Sequence, residues 1–153
     1  MPSRHIAISF TLASAAIAAL VGTSVTGCGS DNKSSGSSDS AAQVQQGQQA
    51  VMQFACTSCH GANLAGMTTA MSGAYPANIT PDPTTGIGNW STATIVNAIL
   101  NGVDDENQML CVMPKFGTTP YNMTADQANA IAAYLKSIPA VSQTIPDSTC
   151  SAM

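Results

Sequence analysis

Charge is scarce in this sequence: charged residues make up only 8% of its 153 positions, with four Lys and Arg against eight Asp and Glu. The formal charge of −4 argues against a nucleic-acid partner, which needs a basic face. So thin a charge distribution leaves the surface to Ser, Thr, Asn and Gln and excludes strong long-range steering of a partner. Strand patterning is missing too. Apolar and polar residues nowhere alternate with period two for more than a few positions, so no sheet is expected. Histidine occurs only at His5 and His60, and the CxxC spacing occurs once. Both shortages speak against a zinc site, which wants four ligands at matched spacing.

What is present converges on Cys56-Thr57-Ser58-Cys59-His60. Two thiols separated by two residues at the end of a helix can each form a thioether with a vinyl-derived carbon of a porphyrin. The next residue, His60, is then carried beneath the iron, and CxxCH is the attachment sequence of c-type haem. A thioredoxin-like dithiol would want a βαβ setting, which the flanking sequence lacks. The remaining rival is a chance pairing of cysteines beside a histidine. An export signal and a downstream Met-Pro pair count against it.

Arg4 and His5 precede an apolar run from Ile6 to Val21, and small residues follow as far as Cys28. This is the pattern of a secretory signal peptide over residues 1–27, not of a spanning helix. Val25-Thr26-Gly27-Cys28 is similar to the bacterial lipobox, which implies that Cys28 is acylated and becomes the mature N-terminus. Ordinary cleavage nearby, with Cys28 unmodified, is the alternative. From Gly29 to Ser40 the chain is mostly Ser, Gly, Asp and Asn, so residues 28–41 are expected to form a disordered tether behind the anchor. The expected location is the periplasmic side of a bacterial membrane, with outer membrane or cell surface open, since Gly29 rather than Asp follows the anchor. Of five cysteines, Cys111 and Cys150 remain, and in an oxidising compartment they are most simply a disulfide. It would close a loop of about forty residues, worth ~4 kcal/mol in the chain-entropy model.

Residues 42–153 are expected to form one domain. Val44, Gly47, Val51 and Phe54 recur at helical spacing and predict a helix over 42–55 that feeds the CxxCH motif. A second helix is predicted from Ser91 as N-cap, through Ile95, Val96, Ile99 and Leu100, to a stop at Gly102. Thr124 and Gln127 form a capping box for a third, whose apolar face is Ala128, Ile131, Ala132, Leu135 and Ile138, with Pro139 ending the run. Gly and Pro concentrate between residues 61 and 90. The fold class is therefore all-α: three main helices with Gly/Pro-rich loops wrapped around one covalently bound haem, which supplies much of the buried surface.

A helix before CxxCH, a loop with Met113-Pro114 and a C-terminal amphipathic helix bearing Tyr134 together resemble class I cytochrome c over residues 42–140. The resemblance implies that Gly47 meets Tyr134 where the terminal helices cross. The run from Ala77 to Ser91, containing Asn78-Ile79-Thr80-Pro81-Asp82 and Thr85-Gly86-Ile87-Gly88-Asn89-Trp90, is similar to haem modules in cytochrome subunits of membrane-bound periplasmic dehydrogenases. Those subunits usually carry several modules, whereas this chain has a single CxxCH.

The resemblance further implies His60 and Met113 as axial ligands of one haem c held by Cys56 and Cys59, with Met109, Met123 and an open site as alternatives to Met113. Removal of the signal peptide would leave His60 as the only histidine, so bis-histidine ligation within one chain is excluded. Asn78 and Ile87 would line the pocket, with a backbone carbonyl from Asn78 to Gly88 accepting from His60. Trp90 would either donate its indole N–H to a propionate or serve as packing. Met52, Met67 and Met71 are read as core. The expected function is one-electron transfer between redox protein partners, from a dehydrogenase or quinol-oxidising system to a terminal acceptor, without catalysis. The alternative is a small haem enzyme or gas sensor with an open sixth position.

Overall fold

The computed structural model describes residues 36–148. The expected signal peptide, the anchor Cys28, most of the tether and Cys150 lie outside the described residues. The first helix, α1, is Gly36–Gln53, so it starts six residues before the expected 42 and takes in the last part of the stretch read as tether. Helix propagation is cheap once a turn is nucleated, and the packed segment around Gly47, Ala50 and Val51 supplies that nucleus.

The helix also stops earlier than expected. Phe54 N–H still reaches Ala50 O at 2.9 Å, but Ala55 turns left-handed at φ 53° and breaks the run. The CxxCH residues therefore form a separate single turn, α2 (Cys56–His60), and do not end the first helix as expected.

The other helices form where their caps lie. Helix α3 is Thr92–Asn101; Ser91 Oγ accepts from Thr94 N–H, and Gly102 closes it at φ 68° with its N–H on Ala98 O. Helix α4 is Ala125–Ser137, opened by the reciprocal Thr124 and Gln127 capping box. Among the described residues the only β pairing is two isolated bridges, Met71 with Ala74 and Val103 with Met109, so the class is all-α as expected.

The core gathers Ala50 and Val51 of α1, Ile95 and Ile99 of α3, and Ala128, Ile131, Ala132 and Leu135 of α4, with Leu64, Ile87, Phe116 and Met123 from the loops. Phe54 adds an edge-on contact with Phe116, ring centroids 5.8 Å apart. None of the three methionines read as core is in it: Met67 is only half-buried, and the other two are exposed. Met52, 63% exposed, sits off the stripe of α1 that carries Gly47 and Val51, and Met71, 36% exposed, lies in a surface turn.

Helices α1 and α4 meet at Gly47, as the resemblance implied. A Cβ there would overlap the Ala130 carbonyl oxygen and lie 2.7 Å from Tyr134 Cβ. Main-chain atoms are what it would strike, so neither helix can yield by a rotamer change. Gly47→Ala is expected to cost about 3 kcal/mol through forced separation of the two helices, measurable as a lower midpoint in chemical denaturation of the holoprotein.

Candidate functional site

The left-handed Ala55 swings α2 out of line with α1, placing Cys56 half-buried against the core and Cys59 exposed. Ser58 Oγ donates to Ala55 O at 2.7 Å and pins the turn. Both cysteines are free thiols and do not bond each other. Burial pushes the Cys56 thiol above its ordinary value, against the pull of a backbone hydrogen bond, with Cys59 raising it further. The pair thus presents two thiols on one helical turn.

His60 is half-buried, and its Nδ1 lies 2.7 Å from Ala77 O. A carbonyl only accepts, so Nδ1 carries the proton and Nε2 keeps its lone pair. Burial lowers the imidazole pKa, and the hydrogen bond to Ala77 opposes this. The ring is therefore a neutral, oriented ligand of the kind a metal needs. The acceptor is Ala77, one residue upstream of the Asn78 to Gly88 stretch in which it was expected.

The loop that delivers Ala77 is held by its own polar groups. Gly66 N–H donates to His60 O at 2.9 Å, and a Cβ on Gly66, at φ +83°, would come within 2.8 Å of Pro76 O, Ala77 C and Asn78 N. All four hydrogen-bonding positions of the buried Asn78 side chain are used within the protein. Its amide donates to Thr85 Oγ1 and Val141 O, and its oxygen accepts from Thr80 N–H and Thr80 Oγ1. Ile87 is buried in the core, and Trp90 packs half-buried against it with its carbonyl accepting from Lys136 Nζ at 2.6 Å.

The three candidate methionines are set apart by environment. Met109 is 52% exposed, Met123 is 5% exposed within the core, and Met113 is half-buried against the core's edge. Cys111, two residues before Met113, is disulfide-bonded, while Cys150 lies outside the described residues.

Asp82, Thr85 and Gln143 were not singled out by the sequence pattern. Asp82 Oδ1 accepts from Thr84 N–H, Thr85 N–H and Thr85 Oγ1, at 3.1, 2.7 and 2.9 Å. The order Asp-x-Thr-Thr-Gly could have revealed this turn, since a carboxylate reaches back-to-back N–H groups two and three residues on. Gln143 offers no local signal, because its partners are far away in sequence.

Two free thiols on one turn, followed directly by a neutral imidazole with Nε2 available, fit covalently bound haem. They define a c-type cytochrome. The chain belongs to the family described as cytochrome c oxidase, cbb3-type, subunit III, whose model matches residues 42–135. It is also similar to a nicotinate dehydrogenase subunit of Pseudomonas putida, 36% identical over 115 residues, which are 70% of this chain. The chain spans about 10% of the length of that relative. The fold is accordingly that of cytochrome c, the cofactor is covalent haem c, and the chain transfers electrons without catalysing a reaction of its own.

Asp82 provides a pH signature for the loop. The hydrogen bonds from Thr85, backbone first and then side chain, hold its carboxyl below the usual 3.8. A carboxylate depressed in the folded state adds stability above its unfolded pKa and loses it as pH falls through the folded one. The stability gap between wild type and Asp82→Ala should therefore be full at neutral pH and close progressively as pH drops below about 3.8. Urea midpoints of the two holoproteins across this range measure it.

Proposed function

We propose that this chain is a one-electron carrier of the bacterial cell envelope, tethered by acylated Cys28 to the periplasmic side of a membrane. It would connect a dehydrogenase or quinol-oxidising system to a terminal acceptor. The observation that carries the electron-transfer reading is the neutral His60, aimed by Ala77 and placed directly after two free thiols. The dehydrogenase as donor is supported by the likeness to a subunit of nicotinate dehydrogenase. The anchor is supported by Val25 to Cys28 in the sequence, and no helix among the described residues is long and apolar enough to cross a membrane.

Bound haem c supplies an Fe(II)/Fe(III) couple. Cys56 and Cys59 would hold it in thioethers, and His60 Nε2 would ligate the iron. Met113 would be the sixth ligand: its thioether is half-buried at the core edge, whereas Met109 is turned to solvent and Met123 is occupied in packing. Thioether ligation raises the potential and keeps small molecules from the metal. Ile87 and Trp90 would border the haem, and the Trp90 indole N–H would donate to a propionate. A bridge from Cys111 to Cys150 ties the Met113 loop to the chain after α4.

Met113→Ala should abolish the methionine-to-iron charge-transfer band of the oxidised protein, lower its potential and let carbon monoxide bind the reduced form. Oxidised and reduced spectra with and without carbon monoxide, together with a redox titration, check all three. Retention of the band would transfer the role to another methionine. Cys28→Ser should release the protein from the membrane fraction with its spectrum unchanged, and a wild-type protein found soluble and unacylated would sink the anchor.

A further inference from the structure

The family match ends at residue 135, yet the chain runs on past Pro139 and returns across the loop that orients His60. We propose that residues 139–148 are a proximal strap in which Val141 and Gln143 act as positioning residues. They fix the Ala77 carbonyl on His60 Nδ1–H and so hold the reduction potential of the haem down. The proposal rests on His60 being the proximal ligand of a covalent haem.

Ala77 is itself exposed, so its own side chain does not anchor its carbonyl. The strap grips the peptides on either side. Upstream, Ser148 Oγ accepts from Tyr75 N–H at 2.8 Å and lies 3.3 Å from Tyr75 O. Downstream, Val141 O accepts from Asn78 Nδ2 at 2.7 Å, and Val141 N–H donates to Thr80 Oγ1 at 3.1 Å. Thr80 is fully buried, and its hydroxyl lies 2.7 Å from Asn78 Oδ1, so Val141, Thr80 and Asn78 form one closed set.

Gln143 reaches the histidine by another route. Its Nε2 donates to Gly66 O at 3.2 Å, and the same Gly66 donates its N–H to His60 O while its α-carbon abuts the Ala77 peptide. Gln143 N–H also donates to Thr85 Oγ1 at 3.1 Å, a hydroxyl that already serves Asn78 and Asp82. These are directional polar contacts, which fix an orientation in a way that apolar packing does not.

The effect on the metal follows from charge. A firm hydrogen bond from Nδ1–H makes the imidazole a stronger donor through Nε2, which favours the more positive ferric iron and lowers the potential. A loosened carbonyl weakens that bond and raises the potential.

The test compares wild-type holoprotein with Gln143→Ala, Thr80→Val and Thr124→Ala, the last removing the remote cap of α4 as a control for stability alone. Reduction potential, solvent exchange of the His60 Nδ1–H by proton NMR, and thermal midpoint are read for each. Gln143→Ala and Thr80→Val should raise the potential and speed that exchange about fivefold, the factor for one net hydrogen bond. Thr124→Ala should lower only the thermal midpoint. The strap reading is overturned if Gln143→Ala lowers the midpoint and leaves potential and exchange unmoved, or if Thr124→Ala moves both as far. Gln143 is half-buried on the strap, so this variant keeps the question open to refutation even where Thr80→Val folds poorly. Haem that acid-acetone extracts from wild type would instead overturn the c-type assignment itself.

Discussion

The close approach of Gly47 to the Ala130 carbonyl is the constraint from which both sides of the site are hung. Helix α1 leads from that contact through the left-handed Ala55 into the two thiols and His60. Helix α4 leads from the same contact to Pro139 and then to Val141 and Gln143, which return to the loop bearing Ala77. The histidine thus arrives along one helix and the segment that braces its acceptor along the other. Any separation of the helices would move the two ends of the His60 to Ala77 bond relative to each other.

Scarcity of charge decides how the loops between them are held. With 8% charged residues the chain draws on neutral donors and acceptors, and Asn78, Thr80 and Thr85 knit the Gly/Pro-rich loop to the strap. Among the described residues no buried side-chain nitrogen or oxygen lacks a hydrogen-bond partner. A satisfied neutral network costs little desolvation compared with buried ions, and salt does not screen it. Asp82 is the carboxylate built into that loop, and it gives the network a pH-sensitive member.

What could be read from sequence was what is local. Ser91, Gly102, Thr124 and Gln127 act within one turn of themselves, so α3 and α4 were legible almost to the residue. Gly47 and Tyr134 were legible through the family resemblance, and CxxCH through its chemistry. The break at Ala55 was not, because alanine gives no hint of a left-handed conformation and tertiary packing imposes it. The early start of α1 at Gly36 was hidden by its Ser/Gly composition, which propagation from a packed segment overrode. Asn78 was placed in the site, but its work was not visible: Val141 lies 63 positions away and Gln143 lies 77 positions from Gly66, beyond the reach of any spacing rule.

The two faces of the proposed iron site are built to different stiffness, and the difference suits a carrier. The proximal side is fixed by a hydrogen bond whose acceptor is braced on both flanks by a segment from the far end of the domain. In the loop proposed for the distal side, Leu110 N–H is tied to Gly102 O at 2.8 Å, and Phe116 N–H to Ile99 O at 3.1 Å, with Met113 between these ties. Cys111 adds its disulfide inside the same span. A thioether bond to ferric iron is weak, so the competition between bound and open loop is decided by how little freedom the loop has when released. Anchoring it to α3 at both ends, one of them the cap residue Gly102, limits that freedom and would favour the bound state if Met113 is the ligand. The proposed brace on His60 would keep the imidazole in one orientation in both oxidation states, and geometry that changes little between the states is what rapid outer-sphere electron exchange requires.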